Sequence, residues 1–118
     1  MTVMTMFRDG WEYLSEIDDL AGRDYRVLHR LLSKLDYENW ISVAQETIAE
    51  ELNLKQPDVN KSITRLTKHR IIQREKDPID KRRWRYRLNA NLGWKGDAIQ
   101  WRKHQEDNSK IIRLPVRI

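Results

Sequence analysis

The switch from helical to two-residue spacing of apolar residues between Leu66 and Ile71 constrains the fold more than any other feature of this chain. Val27, Leu28, Leu31, Leu32 and Leu35 form the stripe of an amphipathic helix that begins near Asp24. Trp40, Ile41 and Val43 are a run too brief for more than a small strand. A second helix is expected over 44–52 with Ile48, Ala49 and Leu52 inward, then a three-residue turn at 53–55. A third spans 56–69 with Val59, Ile63 and Leu66 inward, and Pro57 stands in its first turn, where a missing N–H costs no bond. Ile71 to Lys76 predicts a strand, and Asp77-Pro78-Ile79-Asp80 has the chemistry of a turn. The return strand carries Trp84, Tyr86 and Leu88 on one face and Arg83, Arg85 and Arg87 on the other. The expectation is a β-hairpin with one side on a core and the other fully cationic.

The ends are less regular. Thr2 to Phe7 suggests a short strand broken at Gly10, and Trp11, Leu14 and Ile17 suggest a turn or two of helix. Residues 88–97 read as an irregular connection, 98–107 as a short helix bearing Trp101, and 111–118 as an apolar-basic tail that Pro115 keeps from being helical. At 118 residues the chain has room for one domain, 1–118, with its core at about 20–96 and a C-terminal helix and tail at 97–118. No apolar run approaches the ~18–20 residues of a membrane span, and MTVMTMF lacks the pattern of a secretion signal. Cysteine is absent, which removes disulfides and thiolate metal sites. A cytoplasmic protein without membrane contact is expected.

Charge is divided unevenly. The chain holds 23 Lys+Arg and 18 Asp+Glu, net +5. Residues 1–54 contain 5 basic and 11 acidic residues, residues 55–118 contain 18 and 7, so the halves stand at −6 and +11. An asymmetry of this kind points to a polyanionic partner for the basic half.

Helix, short strand, helix, three-residue turn, helix, basic hairpin is the order of a winged helix-turn-helix, a mainly α fold with a small β-hairpin. In that fold the second helix of the pair lies in the DNA major groove. With Val59, Ile63 and Leu66 inside, the opposite surface carries Asn60, Lys61, Thr64, Arg65 and Lys68, related by i, i+4 spacing. Asn suits adenine, and Arg and Lys suit guanine. Gln56 at the helix start reaches a base or a phosphate, and Lys55, where a capping residue is usual, meets a phosphate. Asp58 suits the helix dipole but faces a polyanion, either as an acceptor for cytosine or as a penalty on non-specific binding. Lys81, Arg82 and Arg83 at the hairpin tip, with Arg85 behind them, lie along the DNA backbone or enter the minor groove. The hairpin would supply affinity and the helix specificity.

The stretch from Leu20 to Asp77, followed by YRLNANLGWKG (Tyr86 to Gly96), resembles winged-helix plasmid replication initiators or replication-maintenance proteins of the RepL type. Its segment IAEELNLKQPDVNKSITRL is similar to the helix-turn-helix of MarR-like and GntR-like regulators. The resemblance implies a winged helix that binds origin or operator DNA, with Gln56, Asn60, Lys61 and Arg65 reading it. An initiator also implies host replication proteins as partners. The alternative is a transcriptional repressor of the MarR or GntR kind.

Catalysis is not expected. His29, His69 and His104 are isolated, Tyr86 sits on an apolar strand face, and the four glycines make no phosphate-binding loop. No cofactor or metal is implied. RNA binding would need exposed aromatics such as Trp94 and Trp101 for stacking, and a module that only docks proteins would need an acidic partner. Apolar residues remain beyond the helix-hairpin core: Met4, Met6, Phe7, Trp11, Trp101, Ile111, Ile112 and Leu114. Either they close that core or the two termini build a symmetric dimer that reads two half-sites.

Overall fold

Three helices form around the stripes read from the sequence. This computed structural model describes residues 4–81 and 83–106. In chain order it contains β1 (Thr5–Met6), α1 (Arg8–Ser15), α2 (Gly22–Ser33), β2 (Trp40–Ile41), α3 (Gln45–Leu52), α4 (Gln56–Lys68), β3 (Ile72–Lys76), β4 (Trp84–Leu88), β5 (Gly93–Trp94) and α5 (Ala98–Glu106). A 3-10 turn at Tyr37–Asn39 precedes β2. Val27, Leu28 and Leu31 of α2 share one core with Ile48 of α3, Val59, Ile63 and Leu66 of α4, and Ile71, Ile72 and Tyr86 of the hairpin. The winged helix-turn-helix is the fold observed.

The turn between α3 and α4 is closed by Asn53, at φ 56°, in the left-handed region that asparagine tolerates better than most residues. Leu54 N–H then returns to the Ala49 carbonyl at 2.8 Å. Arg26 of α2 donates to the Leu52 carbonyl at 3.1 Å and satisfies another exposed helix end. Lys55 offers no side-chain cap to α4, as its chemistry predicts.

Helix α4 ends less comfortably. Ile71 N–H bonds to Leu66 O and Arg70 N–H to Thr67 O, both at 3.0 Å, which is the pairing of a Schellman motif. That motif needs a left-handed residue, and here Arg70 holds φ 60°. Glycine carries no Cβ penalty there. Arg70→Gly is therefore expected to stabilise the chain by about 0.5–1 kcal/mol, read as a rise in thermal midpoint of a few degrees. An unchanged or lower midpoint would contradict this.

The three-stranded sheet runs β2-β4-β3, all antiparallel, with Glu75 opposite Arg85 and Trp40 opposite Arg87. Its outward face is not the bare cationic surface expected. Arg85 donates to Glu75 through Nε at 2.8 Å and through Nη2, and its guanidinium lies 4.0 Å from the centroid of the Trp40 ring. Arg87 lies 4.4 Å from the same ring and donates to the Glu38 carbonyl at 3.0 Å. Short strand β2 puts an indole beside these arginines, and cation–π attraction holds them against it.

A second sheet replaces the irregular connection that residues 88–97 suggested. β1 pairs with β5, Thr5 opposite Trp94 and Met6 opposite Gly93. Gly10 does not break this end of the molecule; it lies inside α1, where a Cβ would sit 2.7 Å from Leu92 O. Buried Asn39 joins the two sheets. Its Nδ2 donates to Leu88 O at 3.0 Å and Gly93 O at 2.8 Å, and its Oδ1 accepts from Lys95 N–H at 2.9 Å. Phe7 meets Trp101 edge to face at 5.7 Å, and Trp101 Nε1 donates to Ala90 O at 3.0 Å. These two aromatics pack against each other within the chain and remain half-buried. Met6 is half-buried in β1, Trp11 is 52% exposed, and Ile111, Ile112 and Leu114 lie outside the described residues. Among the described residues no helix is long and apolar enough to cross a membrane, and no three His, Asp or Glu stand close enough to hold a metal ion.

Candidate nucleic-acid interface

Burying Val59, Ser62, Ile63 and Leu66 turns the opposite side of α4 to solvent. Lys55, Gln56, Asn60, Lys61, Thr64 and Lys68 are all exposed there. Several are already oriented by neighbours. Gln56 Nε2 donates to Glu46 Oε1 at 3.3 Å, and Gln45 Nε2 donates to Asn60 Oδ1 at 3.4 Å and to the Tyr86 hydroxyl at 3.0 Å. Thr64 donates to the Asn60 carbonyl at 2.9 Å, and Lys68 pairs with Asp19 at 3.4 Å. Lys55 and Lys61 pair with no carboxylate among the described residues.

Arg65 departs from the expected ridge. Its guanidinium turns back to Asp24 of α2, 3.2 Å from Oδ1 and 3.3 Å from Oδ2. Asp24 is fully buried and also accepts from the Ser62 hydroxyl at 2.6 Å and from Ala21 N–H at 2.9 Å. Burial alone would raise the Asp24 pKa. The bonds from Ser62, Ala21 and Arg65 outweigh it and hold the carboxyl below its ordinary value. Asp58 is likewise occupied, 3.5 Å from Arg23 on α2, instead of facing outward from the helix start. Both departures have one cause: α2 crosses α4 close to this edge and supplies partners of opposite charge.

The hairpin stands beside the start of α4, across an open cleft of about 470 Å³. Its lining includes Gln56 and Asn60 of α4, Gln45 of α3, and Arg74, Arg83 and Tyr86 of the hairpin. Lys81 and Arg83 are exposed, Arg83 within electrostatic reach of the Asp77 carboxylate, and Arg82 lies outside the described residues. Arg85, expected to join them, is held by Glu75 and Trp40 as described above.

Sequence reading missed Arg74, Lys76 and Trp84. Trp84 shares a strand face with Tyr86 and Leu88, yet it is 40% exposed while they are at 1% and 3%. The hairpin overhangs the core, so the buried face becomes a solvent face toward its tip. There Arg74 lies 4.5 Å and Lys76 5.6 Å from the indole centroid. Position along the strand was the available signal, since Trp84 is the β4 residue nearest the turn. Trp94 is buried and Trp101 half-buried, so neither offers a bare ring to an unpaired base. His69 pairs with Asp19 and His104 packs on Trp94.

The profile of the MarR family matches residues 18–83, more than half of the chain. No curated protein matches it. Among solved structures, the G34K mutant of MepR from S. aureus aligns with a TM-score of 0.51 and 22% identity, over 70% of this chain and 56% of that one. PcaV, a transcriptional regulator from Streptomyces coelicolor solved with its natural ligand, aligns with a TM-score of 0.50 and 20% identity, over 86% of this chain and 65% of that one. The chain therefore spans less than two thirds of the length of either structure, and at these identities the likeness is one of fold. With the family profile covering the three helices and the first strand of the hairpin, the chain belongs to the MarR family.

Proposed function

We propose that this protein binds double-stranded DNA sequence-specifically and regulates transcription, with α4 in the major groove and the wing along the adjacent backbone. The observation that carries this reading is the shared cleft, with Gln56 and Asn60 of α4 facing Arg74 and Arg83 of the wing. Lys61, Asn60 and Gln56 read bases, and Lys55, Thr64, Lys68, Lys81, Arg82 and Arg83 contact phosphates. Arg65 contributes by fixing the helix through Asp24, and Arg85 by stiffening the wing. Membership of the MarR family favours a regulator over the plasmid replication initiator that the resemblance implied, and host replication proteins are not among the proposed partners. The site of action is the cytoplasm, where operator DNA is open to a diffusing protein.

A single winged helix covers only about 600–1,000 Å² of DNA, so a homodimer reading two half-sites is part of the proposal. Trp11, 52% exposed beside an apolar hollow lined by Leu14, Leu28 and Leu32, is its proposed contact. Sedimentation at micromolar concentration tests it; a mass near one chain would remove the dimer.

Selection from random duplex DNA followed by a salt titration tests the main reading. Affinity is expected to fall with salt at a slope of about −0.9 per phosphate contact, and single strands and RNA are expected to bind more weakly than the selected duplex. Lys61→Ala should cost about 1–3 kcal/mol on the selected site and relax base preference. The double change Lys81→Ala, Arg83→Ala should weaken all sequences alike and flatten the salt slope by about two contacts. A chain that ignores duplex DNA in dilute salt overturns the reading.

A further inference from the structure

The wing ends on an apolar point. Ile79 is 95% exposed, well beyond the other exposed large hydrophobics described, of which Ile99 is next at 66%. Turns between strands usually present Gly, Pro, Asn, Asp or Ser, so Pro78 is ordinary there, while Ile79 is held outward on a built frame. Asp77 Oδ1 accepts from Ile79 N–H at 2.8 Å and from Asp80 N–H at 3.1 Å. Asp77 N–H returns to Arg83 O at 2.9 Å, and Arg83 N–H to Asp80 O at 3.0 Å. These bonds turn the Asp77 carboxylate toward the backbone of its own turn. Lys76, Lys81 and Arg83 flank the tip and are exposed.

Proteins that bend DNA from the minor groove combine such parts: basic residues that follow the phosphates, and an apolar wedge of Pro, Ile, Leu, Met or Phe that parts a base step. An isolated exposed isoleucine is ordinary on a protein surface. One held at the far end of a cationic ribbon, whose root stands beside a candidate recognition helix, has a defined place to go. We propose that Pro78 and Ile79 form a wedge that enters the minor groove beside the segment read by α4, partly unstacks a base step and bends the duplex. This rests on the double-stranded DNA reading above and adds an activity to it, deformation of the site. Pyrimidine–purine steps, which part most easily, are the expected points of entry.

The test uses the full chain and a duplex of about 40 base pairs, much shorter than the ~150-base-pair persistence length, with TA steps along it and donor and acceptor dyes at its ends. Saturation with the parent protein is expected to raise energy transfer, as a bend of roughly 20–90° requires. Ile79→Ser should remove most of that rise while changing affinity by less than about tenfold, because the worth of a buried isoleucine is nearly offset by the cost of unstacking a step. Ile79→Leu, which keeps an apolar wedge, should retain the bend. Because Ile79 touches solvent almost everywhere, both variants should melt at the parent's temperature. Binding without a change in energy transfer overturns the wedge and leaves the DNA reading intact. So does an Ile79→Ser protein that bends the duplex as the parent does. Failure of the parent to bind the duplex overturns the underlying reading, and the wedge with it.

Discussion

Asp24→Ala is expected to lower the stability of this protein by about 3 kcal/mol and its thermal midpoint by roughly 10 °C. The carboxylate is fully buried and, among the described residues, is the only acceptor for the Ser62 hydroxyl, itself fully buried. Removing it leaves that hydroxyl with no partner and the start of α2 without the bond to Ala21 N–H. Arg65 softens the loss, because its side chain is 39% exposed and can turn to water. Asp24→Asn keeps the shape and an acceptor but loses the charge, so it should cost less than alanine. The pH dependence has a definite sign. The folded chain holds Asp24 below the ordinary 3.8 of an aspartate, so the unfolded chain binds the proton more readily. The stabilisation is complete above about 4 and drains away as pH falls toward the folded pKa. The gap in midpoint between parent and Asp24→Asn should therefore narrow in acid. A gap that widens below pH 4 would show that this carboxylate does not anchor α2 to α4.

The second large effect is expected at Asn39. Asn39→Ala removes three hydrogen bonds at once and strands two buried carbonyls, at Leu88 and Gly93, and the Lys95 N–H. It also places alanine at φ 68°, where asparagine is tolerated better. A loss of about 3 kcal/mol follows, a large part of the 5–15 kcal/mol that holds a domain of this size together. Asn39→Asp should be at least as harmful despite its shape, since a carboxylate cannot donate to two carbonyls. Because Asn39 joins β4 to β5, hydrogen exchange should quicken first at Gly93 and Trp94 while α4 stays protected. Uniform exchange across the chain, or an aspartate variant as stable as the parent, would contradict the joint described here.

Much of the candidate interface is legible in the sequence, and its exceptions have physical causes. Lys61 and Asn60 face outward because Val59, Ile63 and Leu66 must face inward, a consequence of helical period alone. Arg65 obeys the same arithmetic, yet Asp24, 41 residues earlier, draws it aside. Arg85 is taken by Glu75 on the paired strand and by the Trp40 ring. Strict alternation placed Trp84 inside; the overhang of the hairpin put it at the rim of the cleft. In each case a partner distant in sequence, or the extent of the core, decided what the pattern left open.

Local chemistry alone set the order of helices and hairpin, the inward and outward faces of α4, and the basic bias of the C-terminal half. Helical and strand periods act between residues a few positions apart, and each segment carries that information within itself. Only the tertiary structure decided which cations stay exposed beside the cleft, how β1 and β5 meet in a second sheet, and why Asn39 is buried. Most of those outcomes depend on groups brought together from far along the chain, such as Thr5 with Trp94, 89 residues apart, and Asn39 with Gly93, 54 apart. Contacts of that kind form when whole elements dock, and no periodicity within one segment encodes them.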